Sequence, residues 1–285
     1  MAARTSETAL RSGIVRMSEA KQKSVGRNGK NQRNDVKLVQ RLLIKYGYKI
    51  GSPDGICGPR TQFAIETLQH TFLKVPDGRI DPGGRSWKAL SAETPGIVSA
   101  PRLTGSQLTK LLPKPKHGAV NIGLQAVNNA YMLKALGNPR EDYSEDCQPV
   151  TDAKLKRNIT VASVGPFKVQ GLSLAISSLA LVMGDVRREW PAVYAALGTA
   201  GMLCCRYQRN SKTQISNHSW GTAVDLTING ILDQRGDNMV QTGLSLIAPT
   251  FNKHGWCWGA TFATEDAMHF EAGKALIESW AGSMK

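Results

Sequence analysis

The chain contains 285 residues, more than one average domain, so we expect two domains or one large domain. A formal net charge of +14 predicts a polyanionic partner, such as nucleic acid, anionic lipid or the bacterial envelope. The longest apolar stretch, residues 172–183, is shorter than the roughly 20 residues that a membrane-spanning helix needs, which argues against a transmembrane segment.

Cysteine usage and the first residues bear on where the protein is made. The five cysteines are odd in number and scattered, with Cys204 next to Cys205, unlike the paired framework of a disulfide-stapled secreted domain. Residues 1–23 are basic and lack the apolar core of a signal peptide. We therefore expect reduced thiols and synthesis in a cytoplasm without a secretory signal.

Residues 1–33 are the first segment of the chain. They combine eight lysines and arginines with Glu7 and Glu19, and large apolar side chains are few. This composition predicts a basic tail that stays disordered or lies on an anionic surface.

Helical periodicity begins after the tail. Asn34 or Asp35 can cap a first amphipathic helix. A turn at residues 52–55 precedes a second helix, which begins with Pro59, and a third short helix follows. The sequence therefore predicts a small three-helix bundle over residues 34–93.

The turn before the second helix is the most specific feature of this bundle. Its residues, Asp54-Gly55-Ile56-Cys57-Gly58-Pro59-Arg60-Thr61, resemble those of three-helix peptidoglycan-binding domains, and residues 36–42 and 63–69 are similar to the same family. The glycines permit backbone angles that other residues resist, and the proline opens the next helix. The resemblance implies binding to bacterial peptidoglycan, and a generic three-helix bundle is the alternative.

Residues 94–118 are rich in proline, serine, threonine and glycine, which favours an extended linker. Residues 119–285 then form the second predicted domain, with helices over 121–136, 172–188 and 192–197 and strands nearer its end. This order predicts an α+β domain with an antiparallel sheet.

Two motifs in this domain carry its chemistry. In residues 222–228, alternating apolar and polar side chains place Val224 toward the core and Asp225 on the opposite face. A turn at Gly221 lets His218 fold back beside this carboxylate.

The second motif lies in residues 265–271. Here alternation buries Met268 and Phe270 and places His269 on the opposite face together with Glu271. Three side chains would then supply the ligands of a catalytic zinc site with an open fourth position for water: His218, Asp225 and His269. Zinc lowers the pKa of a bound water to about 7, so this set predicts amide hydrolysis.

Such a hydrolase also needs a group that accepts and returns protons. Asp266, three residues before His269, is placed to be the general base and acid. Glu265 and Glu271 are alternatives for this role.

The two motifs are Ser216-x-His218-x-x-Gly221-x-Ala223-x-Asp225 and Asp266-x-x-His269-Phe270-Glu271. They resemble the zinc peptidases that include D-alanyl-D-alanine carboxypeptidases and phage L-alanoyl-D-glutamate endopeptidases. With residues 165–172 and 255–259, the resemblance covers most of residues 120–275. It implies Zn²⁺ as the cofactor, the same three ligands, and Asp266 as the catalytic acid and base, where many relatives have glutamate.

The resemblance further implies an arginine that steadies a substrate carboxylate or a developing oxyanion. We assign this role to Arg206, with Arg209 as the alternative because the surrounding residues depart from the commoner pattern of the family. Ser216 and Trp220 are predicted to shape the substrate pocket or to have a structural role.

Three other functions are compatible with parts of the sequence. Cys204, Cys205 or Cys257 could act in a cysteine hydrolase, although thiols in such apolar surroundings are more typical of a packed core. The second domain could instead be an inactive peptidoglycan-binding adaptor. The net charge also allows nucleic-acid binding, but no nucleic-acid motif occurs.

We therefore predict a bacteriolytic metallopeptidase, a monomeric phage endolysin whose binding domain comes first, and no binding of nucleic acid. It would be made in the cytoplasm of a bacterial host and would cut the peptide part of the cell wall in the periplasm. A bacterial D,D-carboxypeptidase or a delivered wall-degrading toxin has the same features. L-alanyl-D-glutamate bonds, D-alanine cross-links and terminal D-alanine are all compatible substrates.

Overall fold

The structure, a computed structural model, describes residues 22–73, 75–91 and 103–284. The described chain forms two compact units, one of residues 22–57 and 61–91 and the other of residues 58–60 and 103–284. Two predicted segments lie partly outside the described residues: the basic tail at residues 1–21 and the linker at residues 94–102. No helix in the described ranges is long and apolar enough to cross a membrane.

The N-terminal unit contains the three predicted helices. They are α1 (Arg33–Lys45), α2 (Pro59–His70) and α3 (Arg85–Ser91). Two short strands, β1 (Val25–Gly26) and β2 (Arg79–Ile80), pair antiparallel beside them. The helices enclose an apolar core built from periodic positions, which include Val36, Val39, Leu43, Ile65, Leu68 and Leu90.

The start of this unit differs from the prediction. Helix α1 begins at Arg33 after the cap residue Gln32, so capping by Asn34 or Asp35 is wrong. The described part of the predicted tail, residues 22–33, is also folded, because Val25 is buried and lies opposite Ile80 in the sheet. The many lysines and arginines of this segment are typical of a disordered tail. Its short strand β1 forms because it pairs with β2, more than 50 residues later in the chain.

Two buried glutamines hold the loops between these helices. Gln40 donates from Nε2 to Asp54 Oδ1 at 2.8 Å, to the Ile56 carbonyl at 3.1 Å and to Thr61 Oγ1 at 3.2 Å. Its Oε1 accepts the Gly55 N–H at 2.9 Å. One side chain therefore bonds to three successive residues of the Asp-Gly turn, Asp54, Gly55 and Ile56.

The second glutamine, Gln69, repeats this arrangement one helix later. It donates from Nε2 to Asp77 Oδ1, the Arg79 carbonyl and Ser86 Oγ, and it accepts the Gly78 N–H at 2.8 Å. The unit is thus built from two equivalent Asp-Gly turns, each tied to the preceding helix by a glutamine.

The C-terminal unit is larger and mixes helices with antiparallel strands. Its elements before the first motif are α4 (Gly105–Thr109), β3 (Leu111–Pro113), α5 (Asn129–Leu136), α6 (Ala153–Asn158), β4 (Ile159–Ser163), β5 (Lys168–Leu172), α7 (Ser173–Glu189), α8 (Pro191–Ala196) and β6 (Leu197–Gly201). The remaining elements are β7 (Ala223–Ile228), β8 (Ile231–Leu232), β9 (Met239–Gln241), α9 (Thr242–Lys253), β10 (Trp256–Trp258), β11 (His269–Ala272) and α10 (Lys274–Ala281).

An antiparallel sheet lies at the centre of this unit. In the described chain its strand order is β10, β11, β7 and β6, with β8 also paired to β7. Helix α9 packs on one face, where Val224, Leu226 and Phe270 are fully buried. Phe251 of α9 lies against Phe270 with ring centroids 4.1 Å apart. The predicted α+β class is confirmed, and the polar residues of β7 and β11 are left for the opposite face.

Two segments of the C-terminal unit differ from the prediction. The described part of the predicted linker, residues 103–118, contains α4 and β3, and Leu112 of β3 lies opposite Val240 of β9. The helix predicted over residues 121–136 is limited to α5, since a loop precedes Asn129. Proline and glycine made the first of these segments resemble exposed chain, whereas its pairing partner lies more than 100 residues away.

The expectation of reduced thiols is wrong for one pair of cysteines. Cys147 and Cys204 form a disulfide, with their Cα atoms 5.0 Å apart. Cys57, Cys205 and Cys257 are free in the described structure. Sequence spacing gave no sign of the pairing because 57 residues separate the two partners.

We predict that Gln69→Ala destabilises the N-terminal unit. The substitution leaves the buried Gly78 N–H without its acceptor, which costs about 1–3 kcal/mol of unfolding free energy. Chemical denaturation of the full chain measures this loss. The control is Gln62→Ala, because Gln62 is only half-buried and its side chain bonds to Cys57 instead of holding a buried loop N–H; equal losses for both variants would contradict the role of Gln69.

Candidate active site

Strand pairing and one tight turn bring the predicted ligands together. Asp225 of β7 lies directly opposite His269 of β11 in the antiparallel register. His218 is on a short 3-10 helix (Asn217–Trp220) that ends at Gly221, whose φ of 63° is in the left-handed region. A Cβ on Gly221 would lie 2.6 Å from Gly171 Cα, so this turn requires glycine.

The three side chains meet at single atoms. His218 Nε2 lies 3.2 Å from Asp225 Oδ1 and 3.2 Å from His269 Nδ1. His269 Nδ1 lies 3.0 Å from the same Asp225 oxygen. The atoms form a nearly equilateral triangle.

Hydrogen bonds on the far side of each imidazole set its tautomer. His218 Nδ1 lies 2.9 Å from the Met202 carbonyl, which can only accept, so Nδ1 carries the proton. His269 Nε2 lies 3.1 Å from Glu271 Oε2, which also accepts from Asn217 Nδ2 at 2.8 Å. His218 therefore turns the lone pair of Nε2 toward Asp225, and His269 does the same with Nδ1 when its proton lies on Nε2, beside Glu271.

With the His269 proton on the Glu271 side, three acceptor atoms face one another, and a cation stabilises such a set. In a tetrahedral zinc site, ligand bonds of about 2.0–2.1 Å place the ligand atoms about 3.3 Å from one another. The observed separations of 3.0–3.2 Å agree with this geometry. The residues present thus fit the metal that the sequence predicts.

Electrostatics support the same conclusion. Burial raises the pKa of Asp225, but His218 and His269 more than offset it and hold that pKa well below its usual range. Burial lowers the pKa of His269, but hydrogen bonds with Asp225 and Glu271 raise it more strongly, to about 10. The cluster therefore strongly favours positive charge at its centre.

The triangle lies in the wall of an open cavity of about 550 Å³. Asp266, Arg206, Arg209 and Ser216, all singled out from the sequence, line it as well. Further lining residues are Gln208, Asn217, Arg235, Phe262, Ala263, Thr264, Met268 and Glu271. Three arginines thus line the cavity beside the triangle: Arg206, Arg209 and Arg235.

The surroundings of Asp266 raise its pKa, as a general acid and base requires. Burial raises the pKa of Asp266, the charge of Asp225 raises it too, and His269 and Arg235 oppose this effect. Arg235 Nε lies 3.1 Å from Asp266 Oδ2. A carboxyl group with a raised pKa is suited to exchange protons near neutral pH.

The alternatives to Asp266 have other partners. Glu265 is buried, with Oε1 accepting the Ala267 N–H and Oε2 accepting the N–H groups of Gly236 and Asn238. Glu271 is bonded to His269 and Asn217. The geometry therefore favours Asp266 and gives Glu271 the task of orienting His269.

The structure favours the structural alternative for Trp220, and the predicted burial of Met268 is wrong. Trp220 is fully buried, its indole N–H donates to the Gly137 carbonyl at 2.8 Å, and it is not among the cavity-lining residues. Its role is structural, because its ring packs in the interior. Met268 is half-buried and lines the cavity instead of packing in the core.

The free cysteines near the motifs give no support to a thiol nucleophile. Cys205 and Cys257 are buried and do not line the cavity, and Cys204 is bonded to Cys147. Burial raises the pKa of Cys205 to about 11 and that of Cys257 to about 12, which keeps both thiols protonated.

Two family models match parts of the chain, one in each unit. Residues 209–272 match the family described as D-alanyl-D-alanine carboxypeptidase, and residues 32–83 match the peptidoglycan-binding domain. Both predicted resemblances are confirmed. Together they support a peptidase that acts on peptidoglycan. Neither a curated protein nor a solved structure gives a significant match to the chain.

Sequence reasoning missed two residues of the site. Arg235 lies between the two motifs in an exposed loop, and nothing in its local pattern connects it with Asp266. Asn217 was passed over although it adjoins His218 and bonds to Glu271. A search for polar residues directly beside the proposed ligands could have found Asn217.

We predict that Glu271→Gln weakens zinc binding by about 10–100-fold, because the amide no longer holds the Nε2–H of His269 as a carboxylate does. Competition with a chromogenic chelator measures the affinity. Glu278→Gln, at an exposed carboxylate of α10, is the control and leaves the affinity unchanged. An unchanged affinity for Glu271→Gln would show that this contact does not orient the ligand.

Proposed function

We propose that this protein is a zinc peptidase that hydrolyses an amide bond in the stem peptide or cross-link of bacterial peptidoglycan. The proposal is carried by the lone-pair triangle of His218, Asp225 and His269 at the wall of the arginine-lined cavity. When bound, Zn²⁺ supplies Lewis-acid polarisation of water and of the scissile carbonyl.

The remaining residues divide the chemistry among them. Asp266 accepts the proton of the attacking water and returns it to the departing amine, and its raised pKa suits both steps. Arg235 keeps the Asp266 carboxylate in place through their ion pair. Arg206 binds a substrate carboxylate or the developing oxyanion, with Arg209 on the same cavity wall as the alternative.

The N-terminal unit fits the same substrate. Its match to the peptidoglycan-binding domain favours a polymeric substrate. A binding unit tethered to the peptidase raises the local concentration of the bond to be cut. The net charge of +14 favours approach to the anionic envelope.

We further propose that the biological role is that of a phage endolysin, in which a binding unit precedes a lytic unit. A D,D-carboxypeptidase or a delivered toxin would use the same site. Gene neighbourhood separates these roles, because an endolysin gene adjoins other phage lysis genes. An inactive adaptor is disfavoured, since all three ligand side chains are present in bonding geometry.

We predict that the zinc-loaded chain releases stem-peptide fragments from purified sacculi and that His218→Ala abolishes this release. Asp266→Asn lowers kcat by about 10²–10⁴-fold, because the amide cannot take up the proton. Mass spectrometry of the soluble products measures both effects. Asp266→Asn should retain zinc at wild-type stoichiometry, which separates loss of proton transfer from loss of the metal.

The same products identify the bond that is cut. Endopeptidase action creates new amino termini within the wall peptide, whereas carboxypeptidase action releases free D-alanine. Unchanged products from either variant would contradict the proposed mechanism. An exposed substitution, Glu145→Gln, serves as the activity control.

A further inference from the structure

A second group of acidic side chains lies outside the zinc triangle. Asp233, Asp237 and Glu265 each offer a carboxylate oxygen, and these three oxygens lie within 4.8 Å of one another. Asp233 is 2% exposed and Glu265 is 1% exposed, while Asp237 is half-buried. Three carboxylates are thus collected where little water can screen them.

No side chain in the described part of the chain forms an ion pair with this group. Among the described residues, none of the ion pairs includes Asp233, Asp237 or Glu265. The partners are backbone amides: Gln241 N–H donates to Asp233 Oδ2 at 2.6 Å, and Met239 N–H donates to Asp237 Oδ1 at 2.8 Å. Amide dipoles orient the carboxylates, but they do not neutralise them.

An orphaned oxygen points independently to a ligand. Asp233 Oδ1 is buried and has no hydrogen-bond partner within the described structure. The neighbouring Gln241 Oε1 is a second buried acceptor without a donor. An unpaired buried acceptor is costly, and a carboxylate oxygen left bare among two further carboxylates is the normal environment of a bound cation.

We propose that Asp233, Asp237 and Glu265 form a second cation site, which binds Ca²⁺. The donors are all oxygen, which suits a hard cation and offers no nitrogen or sulfur for zinc. Ca²⁺ takes about six to eight oxygen ligands in flexible geometry and accepts several carboxylates, whereas Mg²⁺ is usually bound through one or two carboxylates and retains its waters.

The surroundings of Asp233 agree with this assignment. Burial raises the pKa of Asp233, and the charges of Glu265 and Asp237 raise it further, to about 7, although the Gln241 N–H opposes the shift. Negative charge is therefore in excess at this position, and a divalent cation relieves it.

The site is joined to the catalytic cavity by the chain itself. Arg235, which pairs with Asp266, lies between Asp233 and Asp237 in the sequence. Glu265 directly precedes Asp266. Glu265 also accepts the N–H groups of Gly236 and Asn238 in the same loop. A cation at this site fixes the loop that holds Arg235 against the catalytic carboxylate.

Calcium binding is tested on the full-length, zinc-loaded chain in calcium-free buffer. We expect isothermal calorimetry with CaCl₂ to show one bound Ca²⁺ per chain and the Tm to rise with Ca²⁺ concentration. Asp237→Asn should lower the affinity at least tenfold, while its amide oxygen still accepts the Met239 N–H. Asp233→Asn tests the second carboxylate, and Glu145→Gln, exposed and remote in sequence, should bind as the wild type does.

The readout is independent of peptidase activity. His218→Ala should retain Ca²⁺ binding, because that residue belongs to the zinc triangle. Absence of Ca²⁺ binding at millimolar concentration in the wild type would overturn the proposal and leave a proton shared among the carboxylates. Loss of binding in His218→Ala with retention in Asp237→Asn would also overturn it, and equal affinity for Mg²⁺ would overturn the assignment to calcium.

Discussion

Antiparallel pairing between β7 and β11 is the constraint on which the site depends. It sets Asp225 opposite His269, and the glycine turn before β7 returns His218 to the same point. The apolar residues of the two strands pack against α9, so the core fixes the register that the ligands need. A one-residue slip would turn Asp225 into the core and disperse the triangle. The stability of the domain and the geometry of the proposed metal site therefore depend on the same strand pair.

The strands that hold the site and several of the helices could be predicted from local sequence. Period-two alternation identified Asp225 and His269 as residues that face away from the core, and the structure confirms that they converge. Helical periodicity and Pro59 located α2 because these signals act within a few residues. The family motifs suggested the order and identity of the proposed ligands, and the peptidase family match over residues 209–272 spans all three of them.

The unpredicted features depend on partners distant in the chain. Leu112 was assigned to a linker because proline surrounds it, yet it pairs with Val240. Cys204 was expected to be reduced, but Cys147 lies beside it in the fold. Glu265 was considered as a base, whereas three backbone N–H groups and the nearby acidic pair give it a structural task. Periodicity describes which way a side chain faces, but not which chain segment it meets.

The ligand set is tested most directly by X-ray absorption at the zinc edge of the zinc-loaded protein. We expect two imidazole nitrogens and a carboxylate oxygen at about 2.0–2.2 Å from the zinc, with one further light atom and no sulfur. A sulfur shell near 2.3 Å, or a first shell of oxygen alone, would contradict coordination by His218, Asp225 and His269.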